Sequence, residues 1–195
     1  MKNSKCFYVV LLLLLVFGCS EGKYKYAQEI KKLESDIIRL PLNGVVVNQD
    51  ARCDKLDIFN KSFKLVNYTD SIGCTSCAIN QLDWWEDFID YANKFNGRLK
   101  FYFIFSPIKK DLNSINLSIS NKMLNYPIML DTLKEFERLN PHLPKNRALH
   151  TFLLDENNRV ILVGNPSRNE KIKEMFYKIV EEKLGKPGEV AVKDN

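Results

Sequence analysis

Apolar side chains in the middle of the chain follow a strand period, then a helical period, then a strand period again. Residues 63–69 (FKLVNYT) are rich in aromatic and β-branched side chains, which predicts a strand. A helix is predicted from Cys74 to about Phe95, where apolar side chains recur every three or four residues. Residues 99–105 (LKFYFIF) are apolar almost throughout, as in a central strand. The helical stripe consists of Ala78, Leu82, Trp85, Ile89 and Ala92.

The C-terminal third of the chain predicts a hairpin and a last helix. Residues 151–155 (TFLLD) and 159–164 (RVILVG) are apolar runs joined by a short Asn-rich turn, which is typical of a β-hairpin. Residues 172–180 then carry apolar side chains at helical spacing. A β–α–β unit followed by a β–β–α unit predicts an α/β sandwich in which helices flank a mixed central sheet.

Weaker patterns predict shorter elements around this frame. Pro41 cannot continue a helix, so the helical pattern of residues 27–39 is expected to end before it. The other predictions are a strand over residues 45–47, a helix over 110–124, a short strand over 126–130 and one or two helical turns over 133–139.

The N-terminus has the pattern of an export signal. Lys2 and Lys5 precede an unbroken apolar run over residues 8–17. This run is shorter than the roughly 20 residues that a membrane-spanning helix needs. Residues 16–19 (VFGC) resemble the bacterial lipobox. Cleavage before Cys19 and lipidation of its thiol are therefore expected, and an ordinary signal peptide is the alternative. The prediction is a protein lipid-anchored to a membrane of the bacterial cell envelope, with its domain outside the cytoplasm.

Net charge, hydrophobic content and the number of cysteines exclude some classes of protein. The formal net charge is +5 without a basic block, which argues against a nucleic-acid partner. A hydrophobic content of 45% fits a globular protein with a core and excludes a disordered chain. Of the five cysteines, Cys6 would leave with the signal and Cys19 would carry lipid, which leaves Cys53, Cys74 and Cys77. Three thiols indicate one close pair and one extra thiol rather than a disulfide-stapled scaffold.

Cys74 and Cys77 stand where a strand and a turn lead into the predicted helix, a place that suits thiol chemistry. Cysteines three residues apart at a helix start can form a disulfide with little distortion. The free N–H groups and dipole of the helix lower the pKa of the first thiol, and Cys77, one turn deeper, is expected to be more shielded. The alternatives are an inert structural disulfide and a zinc site, for which Cys53, His142 and His150 are the further ligand candidates. A redox pair is favoured, with no metal and no cofactor expected.

Residues 70–77 (DSIGCTSC) and 150–155 (HTFLLD) carry a resemblance to a known family. The order of predicted elements resembles the thioredoxin-like fold from about Phe63 to Leu184. The two segments are similar to those of exported, membrane-tethered thiol–disulfide oxidoreductases (TlpA/ResA-like) and of Bacteroidota lipoproteins. The resulting division is a lipoprotein signal peptide at 1–18, a tether and N-terminal extension at 19–62, a thioredoxin-like domain at 63–185 and a flexible tail at 186–195.

The resemblance implies an oxidoreductase in which Cys74 attacks and Cys77 resolves the mixed disulfide. Its partners would be exported cysteine-containing proteins and a redox partner, and it would reach the membrane through its lipid anchor. One alternative is a non-catalytic thioredoxin-fold binding lipoprotein with a structural disulfide. Another is a thiol peroxidase, whose usual P-x-x-x-T-x-x-C pattern is broken by Asn67 and Ser71.

Three positions depart from the family's pattern. Gly73 stands where thioredoxins usually place Trp, and Tyr68 stands where the family often has a buried carboxylate that accepts a proton. Leu149 stands where the family has a cis-proline. A cis bond before a residue other than proline costs about 2.5–4 kcal/mol, so a trans bond is expected there. The substrate-docking edge is therefore expected to differ from that of the family.

Several side chains near the pair are candidate modulators or contacts. Tyr68 and Asp70 are two of them, and Asp70 is expected on the turn. His150 could face the pair, where a cation would lower the pKa of the first thiol, or it could be a surface or strand-edge histidine. Trp85 lies on the core stripe, so packing explains it. Trp84 is expected to be partly exposed, where it could bind a partner.

Overall fold

The structure, a computed structural model, describes residues 22–47, 61–121 and 126–188. In this part of the chain six strands form one mixed sheet in the order β1–β4–β3–β2–β5–β6. Helices pack on the sheet, which confirms the predicted α/β sandwich. The strands are β1 (Val45–Val47), β2 (Phe63–Thr69), β3 (Leu99–Phe105), β4 (Ile128–Leu130), β5 (Thr151–Leu154) and β6 (Val160–Val163).

The predicted β–α–β unit forms the centre of the sheet. β2 pairs in parallel with β3 along its whole length, with Thr69 opposite Phe105, and both strands have the predicted bounds. β5 and β6 form the predicted antiparallel hairpin, and β5 also lies antiparallel to β2. The C-terminal end of β2 therefore meets the N-terminal end of β5. At that junction the N–H of Tyr68 donates to the carbonyl of His150 at 2.9 Å.

The helix predicted to follow the cysteine pair is interrupted. A 3-10 turn, with three residues per turn, places Leu82 and Trp85 on the same side, and both are buried. The adjacent Trp84 is 53% exposed. The predicted apolar stripe thus packs on the sheet although the helix is not continuous. The successive segments are α2 (Thr75–Asn80), the 3-10 turn (Leu82–Trp85) and α3 (Glu86–Asn93).

The N-terminal helix ends earlier than the apolar spacing predicts. α1 occupies described residues 22–33, and residues 37–41 lie outside it. The side chain of Asn140 explains the difference, because its oxygen accepts from the Arg39 N–H and its amide donates to the Arg39 carbonyl, both at 2.8 Å. These bonds replace the helical hydrogen bonds of Arg39. They bring Ile38 and Leu40 into the core, where both are buried.

Of the remaining elements, β4, α4 (Leu112–Ser120) and α5 (Glu135–Leu139) are shorter than their predicted ranges, β1 has the predicted bounds, and α6 (Glu170–Leu184) is longer than predicted. β4 lies within residues 126–130, and β1 pairs antiparallel to it at one edge of the sheet. In the described part of the chain, no helix has the length and apolar character to cross a membrane. Two further 3-10 turns occupy Lys109–Asp111 and Arg147–Leu149.

The sheet separates two buried clusters. One cluster contains Leu65 and Ile79 and covers the face on which α2, α3 and α6 pack. The other contains Tyr68 and Phe136 and packs against residues 33–40. Successive side chains of a strand point to opposite faces, so Tyr68 lies on the face opposite α2. The face of the sheet on which a buried side chain lies therefore determines whether it can approach the cysteine pair through the interior.

Candidate active site

Cys74 and Cys77 form a disulfide at the start of α2. Their Cα atoms are 5.2 Å apart. Cys74 is the N-cap residue of α2, with an extended backbone, and its sulfur accepts a hydrogen bond from the N–H of Cys77 at 3.2 Å. The first-turn N–H groups of a helix have no partner within the helix. The sequence prediction that Cys74 lies at a helix N-terminus is therefore confirmed.

Both cysteines are exposed, which corrects the expectation that Cys77 is the more shielded. The buried side of α2 is formed by Thr75 and Ile79, which are one turn apart. At about 100° per residue, Cys77 lies about 200° around the helix from Thr75, on the solvent side. Burial therefore does not distinguish the two sulfurs, and any difference in their pKa must come from hydrogen bonds and charges.

The turn that leads into Cys74 is closed by Asp70. Its Oδ1 accepts from the N–H of Gly73 at 2.7 Å and from the N–H of Ile72 at 3.1 Å. A Cβ at Gly73 would lie 3.2 Å from the Thr69 side chain, so a larger residue there would require Thr69 to shift by a few tenths of an ångström. The expected position of Asp70 on the turn is confirmed.

Arg147 is a site residue that the sequence reasoning missed. It lies in the 3-10 turn before β5, and its Nε donates to Asp70 Oδ2 at 2.8 Å. Burial alone would raise the pKa of Asp70, but the hydrogen bond from Arg147 and those from the turn outweigh it, and the pKa is lowered. No local pattern marks Arg147, because its partner lies 77 positions away.

His150 is buried, so its interpretation as a surface histidine is wrong. Its Nε2 lies 2.8 Å from the carbonyl of Pro144, and since a carbonyl only accepts, Nε2 carries the proton. Its Nδ1 is buried without a hydrogen-bond partner among the described residues. The ring packs against Tyr68, with centroids 5.3 Å apart. The chain turns inward here to begin β5, which carries the ring into the interior.

Tyr68 belongs to a buried hydrogen-bond chain on the face opposite α2. Its hydroxyl donates to Ser106 Oγ at 3.2 Å, and Ser106 donates to Asp131 Oδ2 at 3.4 Å. Burial raises the pKa of Tyr68 far above its usual range. The phenol therefore stays protonated at any physiological pH. It cannot act as an ionised proton acceptor in the manner of a carboxylate.

A cleft of about 570 Å³ is lined by Asp70 of the cysteine turn and by Ala78, the residue after Cys77, although neither cysteine lines it. One wall includes Gln81, one turn beyond Cys77, and another wall includes Gly164, the residue after β6. Asn67 and Thr151 line it from the sheet, and Asn67 Nδ2 donates to Thr151 Oγ1 at 2.9 Å. Its size is within the range of small-ligand sites.

Arg168 bridges the two walls of this cleft. Its guanidinium donates to the side-chain oxygen of Gln81 and lies 5.6 Å from the centroid of the Trp84 ring. The partial exposure predicted for Trp84 and the core position predicted for Trp85 are both confirmed. The segment that carries the cysteines and the segment before α6 are thus joined at the mouth of the cleft.

These features together match one architecture. A parallel β–α–β unit with a CxxC at the helix start is followed by an antiparallel hairpin and a last helix, in a sheet ordered β1–β4–β3–β2–β5–β6. The fold is thioredoxin-like. Every described peptide bond is trans, as expected from Leu149 at the position of the family's proline.

The similarities found between this chain and known proteins are to solved structures. No protein-family model and no curated protein matches the chain. Among solved structures it is similar to one described as a thiol:disulfide interchange protein DsbE of Chlorobium tepidum, with 14% identity and a TM-score of 0.48 over 73% of this chain and 96% of that one. A thioredoxin-like protein of Porphyromonas gingivalis has 14% identity and a TM-score of 0.43 over 67% and 80%. One described as a protein disulfide isomerase of Bacteroides thetaiotaomicron has 19% identity and a TM-score of 0.43 over 66% and 77%.

Of the remaining cysteine and histidine candidates, the structure describes His142 and His150. Cys6, Cys19 and Cys53 lie outside the described residues. Within the described ranges, no group of three or more His, Cys, Asp or Glu residues is disposed to hold a metal ion. His142 is buried, and burial lowers its pKa although nearby Asp36 opposes this. The site that the structure assembles consists of the cysteine pair, its turn and the cleft.

Proposed function

We propose that the protein carries out thiol–disulfide exchange through Cys74 and Cys77. The observation that carries the proposal is an exposed disulfide whose first sulfur caps a helix and accepts the N–H of Cys77. An exposed sulfur can be reached by an attacking thiolate, and a hydrogen-bonded sulfur is a better leaving group and a more stable thiolate. A purely structural disulfide needs neither property.

The proposed exchange takes place in two steps, and in each step one S–S bond forms as another breaks. In the reductive direction, the Cys74 thiolate attacks a substrate disulfide, forms a mixed disulfide and expels one substrate thiolate. The Cys77 thiolate then attacks the Cys74 sulfur, which restores the Cys74–Cys77 disulfide and expels the second substrate thiolate. Two electrons pass from the pair to the substrate. A dithiol protein must reduce the pair again, and the reverse sequence oxidises a substrate dithiol.

The substrates in this proposal are exported proteins that contain cysteines, with a dithiol protein as the redox partner. The cleft supports a polypeptide substrate, because its lining joins α2, through Ala78 and Gln81, to Gly164 after β6. Backbone and side-chain polar groups along such a cleft can hold an extended chain on either side of its cysteine. No cofactor takes part in the exchange.

Reduction of insulin by dithiothreitol tests the proposal with the full chain. Wild type should accelerate the precipitation of insulin, and Cys74→Ser should abolish the acceleration. Cys53→Ser is the matched control, because it removes a thiol and leaves the pair intact, and it should retain the activity. Wild-type activity no greater than that of Cys74→Ser would refute the proposal. A reduction potential below about −300 mV would then favour a binding protein with a structural disulfide.

We further propose that the chain is exported and anchored through lipid on Cys19. The supporting observation is the lipobox-like segment VFGC behind a short apolar run. Two or three acyl chains hold a protein on a membrane far more firmly than one chain. Mass spectrometry of the native N-terminus should find an acylated Cys19, and Cys19→Ala should release the protein from membranes. An unmodified N-terminus at another residue would contradict this.

A further inference from the structure

The turn that presents Cys74 is held by a residue from a distant part of the chain. Gly73, the neighbour of Cys74, donates its N–H to Asp70 Oδ1, as does Ile72. The other oxygen of the same carboxylate accepts from Arg147 Nε at 2.8 Å. One carboxylate therefore joins the cysteine turn to the segment before β5. That segment is itself fixed, since His150 N–H donates to the Arg147 carbonyl at 3.1 Å.

The same carboxylate places a negative charge on the turn that leads directly into Cys74, bound to the N–H of the residue before it. A negative group near a thiolate raises the pKa of the thiol. α2 carries no acidic residue in its first turn and no basic residue in its last, so its own side chains do not offset this charge. Arg147 supplies a positive charge directly at Asp70. Four further titratable groups line the cleft together with Asp70 and Arg147, namely Tyr26, Tyr68, His150 and Arg168. Glu29 of α1 accepts the N–H of Asn146, next to Arg147.

We propose that Arg147 is a positioning residue of the redox site: through Asp70 it holds the turn that presents Cys74 and offsets the carboxylate charge on that turn. The inference rests on the proposed function. Arg147 transfers no proton and no electron. It keeps the first cysteine both in place and ionised near neutral pH.

The exposed fractions of the Asp70 and Arg147 side chains determine how far each charge changes the pKa of the Cys74 thiol. The Asp70 side chain is only 10% exposed, so its charge is poorly screened by water. The Arg147 side chain is 48% exposed, so its contribution is partly screened. The lowered pKa of Asp70 agrees with a carboxylate that stays ionised beside its arginine. The expected change in the thiol pKa is therefore at the lower end of what a neighbouring charge produces, about one unit.

Titration of Cys74 in the full chain tests the proposal. In a Cys77→Ser background, pulses of iodoacetamide over a pH series are read by mass spectrometry of the peptide that contains Cys74. Arg147→Gln should raise the midpoint by about one unit. Below the midpoint alkylation should slow about three- to fourfold, because the higher nucleophilicity of the more basic thiolate offsets about half of its lower abundance. Asp70→Asn should lower the midpoint, since Arg147 is then uncompensated while the Asn oxygen still accepts the two N–H groups.

Three further variants separate charge from loss of structure. Arg147→Lys keeps the charge and should keep the midpoint, and the double variant Asp70→Asn with Arg147→Gln should return it close to wild type. Arg168→Gln, at the other cleft arginine, should leave it unchanged. Shifts of the same sign for Asp70→Asn and Arg147→Gln, or no shift in either, would overturn the proposal. Wild type inactive on insulin would overturn the proposed function instead, because the titration does not depend on exchange.

Discussion

The amide nitrogen of Cys77 lies 3.2 Å from the sulfur of Cys74 and donates a hydrogen bond to it. The contact joins the N-cap residue of α2 to the first turn of the same helix. After reduction, a donor in this position favours the ionised form of the Cys74 thiol. The sulfur of Cys77 is one turn further on and does not cap the helix. The geometry therefore distinguishes the two thiols although both are exposed.

The first prediction concerns the division of roles between the thiols. In the reduced chain, Cys74 should alkylate several-fold faster than Cys77 at mildly acidic pH, because the helix N-terminus lowers its pKa. Cys77→Ser should accumulate a mixed disulfide with substrate, since the resolving thiol is absent, and Cys74→Ser should accumulate none. Site-resolved mass spectrometry and non-reducing gels measure the two effects. Equal alkylation rates, or trapping by Cys74→Ser, would show that the roles are assigned wrongly.

The strands of the sheet could be predicted from the sequence because their patterns are local. Residues 63–69 and 99–105 are each rich in apolar side chains and bordered by turns, and both became strands with those bounds. The 3-10 turn at Leu82–Trp85 could not be predicted, because a spacing of three residues also fits an α-helix. The local pattern determines which side of the segment is buried. Tertiary packing determines whether the segment buries that side as an α-helix or as a 3-10 turn.

Only those parts of the candidate site that consist of neighbouring residues in the sequence could be predicted. Cys74 and Cys77 are visible as a motif, and so is the turn that contains Asp70. Arg147 meets Asp70 only because β5 lies antiparallel beside β2. The early end of α1 has a similar cause, since Asn140 binds Arg39 across 101 positions. Contacts of this kind form only when the chain is folded, and the spacing of residues along the sequence does not reveal them.

The second prediction concerns the stability provided by Asp70. Asp70→Asn should lower the free energy of unfolding by about 1–2 kcal/mol at pH 7, because it loses a charge-assisted hydrogen bond from Arg147. The pKa of Asp70 is lower in the folded protein than in the unfolded chain. Its contribution is therefore complete above the unfolded-state pKa and is lost as the pH falls through the folded-state pKa.

Urea denaturation at neutral and acidic pH measures this effect. The difference between wild type and Asp70→Asn should shrink as the pH falls below about 4. Asp36→Asn is the matched control, because Asp36 pairs with Arg39 at an exposed site and should contribute far less. A difference that stays constant down to low pH would mean that the charge of Asp70 does not contribute to stability.

The third prediction separates Tyr68 from the redox chemistry. Tyr68→Phe removes the hydroxyl that donates to Ser106 and should cost about 1 kcal/mol of stability. It should leave the pH midpoint of Cys74 alkylation unchanged, because the phenol lies on the face opposite α2 and stays protonated. Urea denaturation and the alkylation series measure the two quantities on the same variant. A midpoint shifted by half a unit or more would place Tyr68 among the groups that tune the pair.

The fourth prediction concerns the glycine that ends β6 and lines the cleft. Gly164 has φ +127, a conformation that side-chain-bearing residues rarely adopt, and a Cβ there would lie 3.0 Å from Ile172 Cδ1. Gly164→Ala should therefore lower the free energy of unfolding by about 1–3 kcal/mol, measured by urea denaturation. Gly22→Ala is the control, because a Cβ there meets no atom within 4 Å and alanine favours the helix of α1. If both variants unfolded at the same urea concentration as wild type, the backbone at Gly164 would not require glycine. A loss of stability in Gly164→Ala alone would show that this position requires glycine, through its backbone conformation and its close approach to Ile172.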